Sequence, residues 1–352
     1  MKKFTRFVTF VAIIIIGVIY LYEPIMEILN PEKTEQGQGV VEPTPQPIPA
    51  EDISEPTAAP EAPTADNTAA TECGWAELPE FIDGENLIYK SYYTTLSDGK
   101  RVRNYSVCYH TGKMVSLWVA YPLHEVYTTP KIDRTDAWAF DDAVTAYGEG
   151  GYEILRYDIT EPAIPQHFQP NVKAGGFNDG EARKLDRGHM LPSASRYNSW
   201  QTNAQTFYAT NIFPQNSRLN QQNWARVEDK TRESMCSDTL YVVVGTLFEQ
   251  NASFVSRGRH IARPSHCYKL LLRTRSGNTG KSISEITDPN ELMAIGFLFE
   301  NTTEGNVKPA EAVVSIAEIE ARCGIKFFAK LNPAVEKKVK AEKNIADWSA
   351  FR

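Results

Sequence analysis

The chain has 352 residues, with 37 Lys and Arg against 44 Asp and Glu for a formal net charge of −7, and 42% of its residues are hydrophobic. This is enough apolar material for one sizeable core, while five irregularly spaced cysteines with no C-x-x-C pair exclude a zinc ribbon. The net charge excludes a uniformly basic nucleic-acid-binding surface, so any such face must be local.

The N-terminus reads as a targeting segment. Lys2, Lys3 and Arg6 precede an apolar run from Phe7 to Tyr22 broken only by Thr9 and Gly17, the pattern of a secretory signal or signal-anchor. No small-x-small cleavage site follows, so an uncleaved membrane anchor over residues 1–22 is expected in preference to a removed signal peptide. The basic flank keeps that end cytoplasmic and places the rest outside. Residues 23–72 are rich in Pro, Ala, Thr and Glu and carry eleven acidic residues against one lysine. Such a segment cannot bury enough apolar surface to offset chain entropy and is expected to be a disordered tether. The acidic charge therefore sits on the tether, and residues 73–352, the expected folded domain, are close to neutral.

Within that domain, Tyr105-Ser-Val-Cys-Tyr109 and Val115-Ser-Leu-Trp-Val-Ala-Tyr121 flank His110-Thr-Gly-Lys113 and predict a β-hairpin. Helices are predicted over 202–208 and 220–234. Leu240-Tyr-Val-Val-Val-Gly245 predicts a buried central strand, and Cys267 to Arg273 and Leu292 to Phe299 predict two more. A third helix is predicted over 315–323, where Ser315 followed by Glu318 forms a capping box. The charged run from Lys337 to Lys343 predicts a helix with a solvated face. Strands and helices without a βαβ rhythm indicate an α+β fold with a mainly antiparallel sheet. Up to two disulfides are open to an extracytoplasmic domain, and their pairing is not legible.

The chemistry-bearing residues gather in fewer than fifty positions: Asp186-Arg187-Gly188-His189, then Asn211-Ile-Phe-Pro-Gln215, then Asn220-Gln-Gln-Asn-Trp224 and Glu228. An imidazole, a guanidinium and oxygen donors are the equipment for phosphodiester hydrolysis: a base for water, a clamp for phosphate and ligands for a hard cation. Each residue also has a plainer reading. Asn220 can be a helix cap and Glu228 a surface partner of Arg232. Asp186 can orient His189 or join a structural ion pair, and Asn211 and Gln215 can belong to a polar turn around Pro214.

These three blocks, in this order and spacing, resemble the signature of the DNA/RNA non-specific endonucleases, ββα-metal nucleases carrying an Asp-Arg-Gly-His motif. The similarity extends from about Tyr105 to Leu331. It implies a ββα-metal nuclease fold, with a mainly antiparallel central sheet flanked by helices, and Mg²⁺-dependent cleavage of DNA and RNA to 5′-phosphate and 3′-hydroxyl ends. Mn²⁺ is a possible substitute for Mg²⁺, and little sequence preference is expected. The resemblance makes His189 the general base, Asn220 the metal ligand and Arg187 the phosphate clamp. Asn211 and Glu228 join the catalytic set, supporting site geometry and the cation's water shell, and Gln215 and Arg134 are expected at the substrate. Two other readings stay open at this point: a catalytically lapsed nucleic-acid-binding fold, and an adhesion protein at the cell envelope.

Overall fold

The computed structural model describes residues 76–138, 144–148, 151–155, 164, 168–172, 177, 185–249, 253–256 and 260–352. The expected anchor and tether lie outside these residues. Among the described residues no helix is long and apolar enough to cross a membrane. Every described strand and helix belongs to one compact unit within Pro63–Arg352.

The first three strands, β1 (Leu87–Thr95), β2 (Arg101–His110) and β3 (Val115–Leu123), form an antiparallel meander that contains the expected hairpin. Two small hairpin strands, β4 (Val144–Gly148) and β5 (Gly151–Leu155), pair with each other. Then come β6 (Leu185–His189), the short helix α1 (Trp200–Ala204) and β7 (Ile212–Asn216), which pairs antiparallel with β6. Helix α2 follows at once and has three parts: Ser217–Leu219, a wide π-type turn Asn220–Trp224, and Ala225–Glu233. The remaining strands are β8 (Leu240–Leu247), β9 (Ser253–Ser256), β10 (His260–Arg263), β11 (His266–Thr274), β12 (Leu292–Glu300) and β13 (Val313–Val314), and helices α3 (Ile316–Cys323) and α4 (Pro333–Lys340) close the domain.

The main sheet has seven strands in the order β1-β2-β3-β8-β11-β12-β13, every pair antiparallel. Strand β8 is its middle, as its continuous apolar run predicts. Side chains alternate across a strand, so the sheet buries two different faces. Val242, Val244, Cys267 and Leu271 join one core with Leu185, Phe213, Trp224 and Val227 from β6, β7 and α2. Tyr241, Val243, Leu270 and Leu272 join the other with Ile316, Ile319, Val335 and Val339 from α3 and α4. The β6–β7–α2 unit is thus seated on one face of the sheet by apolar contacts, which position it while its polar rim stays open.

Several boundaries differ from the sequence reading. The first predicted helix is α1 plus a tight turn over Gln205–Phe207, and it starts earlier because Ser199 Oγ accepts the Thr202 N–H at 3.2 Å. Helix α2 begins at Asn216, whose side chain accepts from the N–H groups of Arg218 and Leu219. Asn220 is therefore inside the helix, and its cap reading is excluded. The Ser315–Glu318 capping box is present in both directions, at 3.1 and 2.6 Å, and α3 ends on Gly324 in the left-handed region at φ 73°. In α4 the expected solvated lysines are only partly so. Lys337 and Lys338 are exposed, but Lys340 is buried and donates to Glu320 at 2.8 Å and Glu336 at 2.6 Å. Cys108, Cys236, Cys267 and Cys323 are free thiols, and Cys73 lies outside the described residues.

Candidate functional site

Strands β6 and β7 meet with Asp186 opposite Gln215, Gly188 opposite Phe213 and His189 opposite Ile212. Gly188 is required by close approach: a Cβ there would lie 2.4 Å from Gln215 Oε1 and 2.7 Å from its Cβ. Asn211 completes the turn behind β6. Its amide donates to the carbonyls of Leu191 and Thr206 at 2.9 and 2.7 Å and its oxygen accepts the Leu191 N–H at 2.8 Å.

A cleft of about 440 Å³ opens beside this hairpin, lined by Arg134, Asp186, Arg187, His189, Asn220 and Glu228 among others. Five of the seven residues given site roles by the resemblance are therefore brought together, His189, Arg187, Glu228, Asn220 and Arg134, and Asp186 lines the same cleft. Two are not. Asn211 is fully buried with every polar atom of its side chain bonded to backbone, so it fixes the loop after His189 and cannot touch a substrate. Gln215 is also fully buried, beneath Gly188, with its amide nitrogen 3.6 Å from Cys267 Sγ. Both were expected nearer the chemistry. The turn around Pro214 runs under the cleft floor instead of along its wall.

His189 stands in an aromatic corner, 5.3 Å from the Trp138 ring and 5.0 Å from that of Phe207, both edge-on. Its Nε2 is buried and has no hydrogen-bond partner. Burial, together with the positive charges of Arg134 and Arg187, pushes its pKa down to about 3. The imidazole is thereby held neutral, with a lone pair available at one ring nitrogen.

Arg187 donates to the Val172 carbonyl at 2.7 Å and stacks 3.5 Å from the Trp138 ring centroid. Arg134 reaches the rim from a separate segment, with its guanidinium 4.7 Å from the Phe207 ring centroid and Nε 2.9 Å from Asp136. Trp138 and Phe207 thus hold both guanidiniums and the imidazole in place. Sequence reasoning passed over both. Trp138 lies in the Asp-Arg-Thr-Asp-Ala-Trp segment, four residues after Arg134, and that proximity was the one available signal.

Asp186 neither orients His189 nor pairs with a cation. It accepts from Ser217 Oγ at 2.7 Å, Asn220 Nδ2 at 2.9 Å and Gln221 Nε2 at 2.8 Å. A carboxylate can only accept, so this contact fixes the Asn220 amide with nitrogen toward Asp186 and leaves its carbonyl oxygen for the cleft. Glu228, farther along α2, has its pKa raised by burial, against the opposing pull of Lys269 and Arg232 and the adjacent Trp224 indole. Arg232 makes its ion pair with Asp229 instead. Lys269, on β11, is fully buried, 5.2 Å from the Trp224 ring centroid. Burial lowers its pKa to about 8 although Glu228 favours its charged form, and its Nζ has no hydrogen-bond partner. This buried ammonium is the second group that sequence reasoning missed.

The donor set fits a hard cation. Among the described residues no three His, Cys, Asp or Glu side chains gather to hold a metal. The cleft offers instead one amide oxygen locked outward and the Glu228 carboxylate, the Asp186 carboxylate being taken up by its three donors, and Mg²⁺ usually takes few protein oxygens and keeps several waters.

A family model described as DNA/RNA non-specific endonuclease matches residues 83–334. A nuclease of Nostoc sp. is 26% identical over 241 residues, covering 68% of this chain and 76% of that protein. The nuclease of Serratia marcescens is 28% identical over 235 residues, covering 65% and 74%. The mouse mitochondrial nuclease EXOG is 32% identical over 247 residues, covering 67% of this chain but 58% of its own length. Among solved structures, a chain of the EndoG/EndoGI complex superposes with a TM-score of 0.51 at 18% identity, covering 80% of this chain and 99% of that one. That likeness concerns the fold, a ββα-metal nuclease.

Proposed function

The chain belongs to the DNA/RNA non-specific endonuclease family, and on that premise we propose that its cleft hydrolyses internal phosphodiester bonds of both DNA and RNA, with His189 as general base, leaving 5′-phosphate and 3′-hydroxyl ends. The observation that carries this reading is the neutral His189 imidazole, its Nε2 without a hydrogen-bond partner, in the lining of a cleft that also holds two guanidiniums and an outward amide oxygen. His189 takes a proton from a water that attacks phosphorus in line, the opposite P–O3′ bond breaks, and the departing 3′-oxygen takes up a proton from solvent to become the 3′-hydroxyl. Arg187, rigid on Trp138, pairs with the non-bridging oxygens as their charge builds, and Arg134 holds the neighbouring backbone. A divalent cation, Mg²⁺ or Mn²⁺ in its place, would be held by the Asn220 oxygen and by waters bonded to Glu228, and supplies further positive charge to the phosphate. None of these residues addresses a ribose 2′-hydroxyl or a base edge, which supports action on both nucleic acids with little sequence preference.

Asp186 has a positioning part in this scheme. Asp186→Ala removes the acceptor that fixes the Asn220 amide, and the expected result is a tenfold to hundredfold loss, roughly the cost of removing a group that orients a metal ligand. The loss should be partly recovered by raising the Mg²⁺ concentration. Wild-type activity at low Mg²⁺ would remove Asp186 from the mechanism.

We further place the enzyme outside the cytoplasm, held at the membrane by residues 1–22 through the acidic tether. The reading as a whole is tested by incubating the full-length protein with plasmid DNA and with total RNA, in Mg²⁺ or in EDTA. Metal-dependent degradation of both is the expected result. Intact substrates with every divalent ion tried would leave a fold that only binds nucleic acid.

A further inference from the structure

A second groove lies next to the catalytic cleft and shares Gln221 with it. It has a volume of about 650 Å³ and runs along the outer side of α2, with the loop after β12 as its far wall. Its cationic groups are Arg218, Arg226 and Lys308, all exposed. Among the described residues Arg218 and Lys308 have no ion-pair partner, and Arg226 donates to Asn223 at 3.0 Å without meeting a carboxylate. The one acidic residue in the groove, Asp229, is taken up by Arg232. Among the described residues of the groove, cations without an ion-pair partner therefore outnumber free carboxylates three to none. In the catalytic cleft, by contrast, two arginines face two carboxylates.

The groove is also built. Asn306 donates to Gln222 at 2.7 Å, and the Asn223 amide donates to the Asn306 carbonyl at 3.0 Å. These bonds bolt the loop carrying Lys308 to the helix carrying Arg218 and Arg226. The two arginines are eight residues apart, about 12 Å along a helix axis. That length corresponds to three or four nucleotide steps at about 3.4 Å each.

We propose that this groove is a second phosphate-binding stretch, which takes the backbone of the strand being cut on one side of the scissile bond, led into it past Gln221. The proposal rests on the nuclease reading of the adjacent cleft. Its cations meet flanking phosphates and take no part in chemistry. Their removal should weaken capture of long nucleic acid and leave the rate of bond breaking intact.

The test is the triple variant Arg218→Ala/Arg226→Ala/Lys308→Ala of the full-length protein, assayed on plasmid DNA across a range of salt and on bis(p-nitrophenyl) phosphate, which has a single diester and cannot reach the groove. The expected result is a KM for plasmid at least about tenfold higher with kcat retained, and hydrolysis of the small diester unchanged. The slope of log(kcat/KM) against log[salt] should become shallower by roughly three, about one for each phosphate no longer neutralised. An unchanged KM and salt slope would overturn the groove while leaving the nuclease reading standing. If the wild type cuts neither substrate, the nuclease reading itself fails. Should the triple variant not fold, Lys308→Glu supplies the same test from an exposed loop position: a raised KM supports the groove and an unchanged one rejects it.

Discussion

His189→Ala is expected to lower kcat on plasmid DNA by about a thousandfold to ten-thousandfold, the upper part of the range for loss of a general base. At about 1.36 kcal/mol per tenfold, this is roughly 4 to 5.5 kcal/mol of transition-state stabilisation. Truncating a ring packed on Trp138 and Phe207 and bonded to the Arg187 backbone also costs some stability, so rates are compared below the melting temperature of the variant. Added imidazole should restore part of the rate. The pH profile carries a sign that can be checked. With its pKa pushed down to about 3 by burial and by the charges of Arg134 and Arg187, the base stays unprotonated in the free enzyme far below the ordinary histidine value. The acid limb of kcat/KM should accordingly fall below pH 6.5, the unperturbed histidine pKa. A variant within tenfold of wild type, or a limb at or above that value, would refute the assignment.

Asn220→Ala is expected to abolish metal-dependent turnover, with a loss of about a thousandfold or more at any practical Mg²⁺ concentration. Activity is not the only readout. A cation that binds only the folded state at a hundred times its dissociation constant stabilises by about 2.7 kcal/mol, so the wild type should melt later in Mg²⁺ than in EDTA. In Asn220→Ala that difference should vanish. Asn220→Asp is a sharper probe. It restores two oxygens but sets a second carboxylate against Asp186, which now accepts the Asn220 amide at 2.9 Å. Only partial recovery is expected, because the like charges repel wherever no cation bridges them. A persistent Mg²⁺-induced shift in Asn220→Ala would place the cation elsewhere.

Much of this molecule was readable in its residues, for reasons that differ from place to place. Strand β8 announces itself because a continuous Leu-Tyr-Val-Val-Val run has no stable place except inside a sheet. The α3 cap was legible because Ser315 and Glu318 satisfy backbone groups within one turn, with no help from distant chain. What failed was whatever depended on packing between separate segments. The start of α2 was missed because Asn216 and Asn220 are equally good caps in sequence, and only the β7 pairing decides between them. The resemblance put Asn211 in the catalytic set and Gln215 at the substrate, and a polar turn flanking Pro214 gives no sign in sequence of which side faces down. The partners of Asp186 stayed open in sequence because its three donors come from residues more than thirty positions away. Lys269 did leave a trace: in β11 it alternates with Cys267 and Leu271, so period two alone points a charge into the core.

That charge sets the character of the site before any cation arrives. A carboxylate sunk in a cleft wall would ordinarily drift toward its protonated form, and Glu228 is pushed that way by its surroundings. The buried Lys269 ammonium pulls in the opposite direction without overcoming burial, so the fold carries an internal positive charge that partly offsets the cost of ionising Glu228. The same ammonium repels a doubly charged ion approaching from the front.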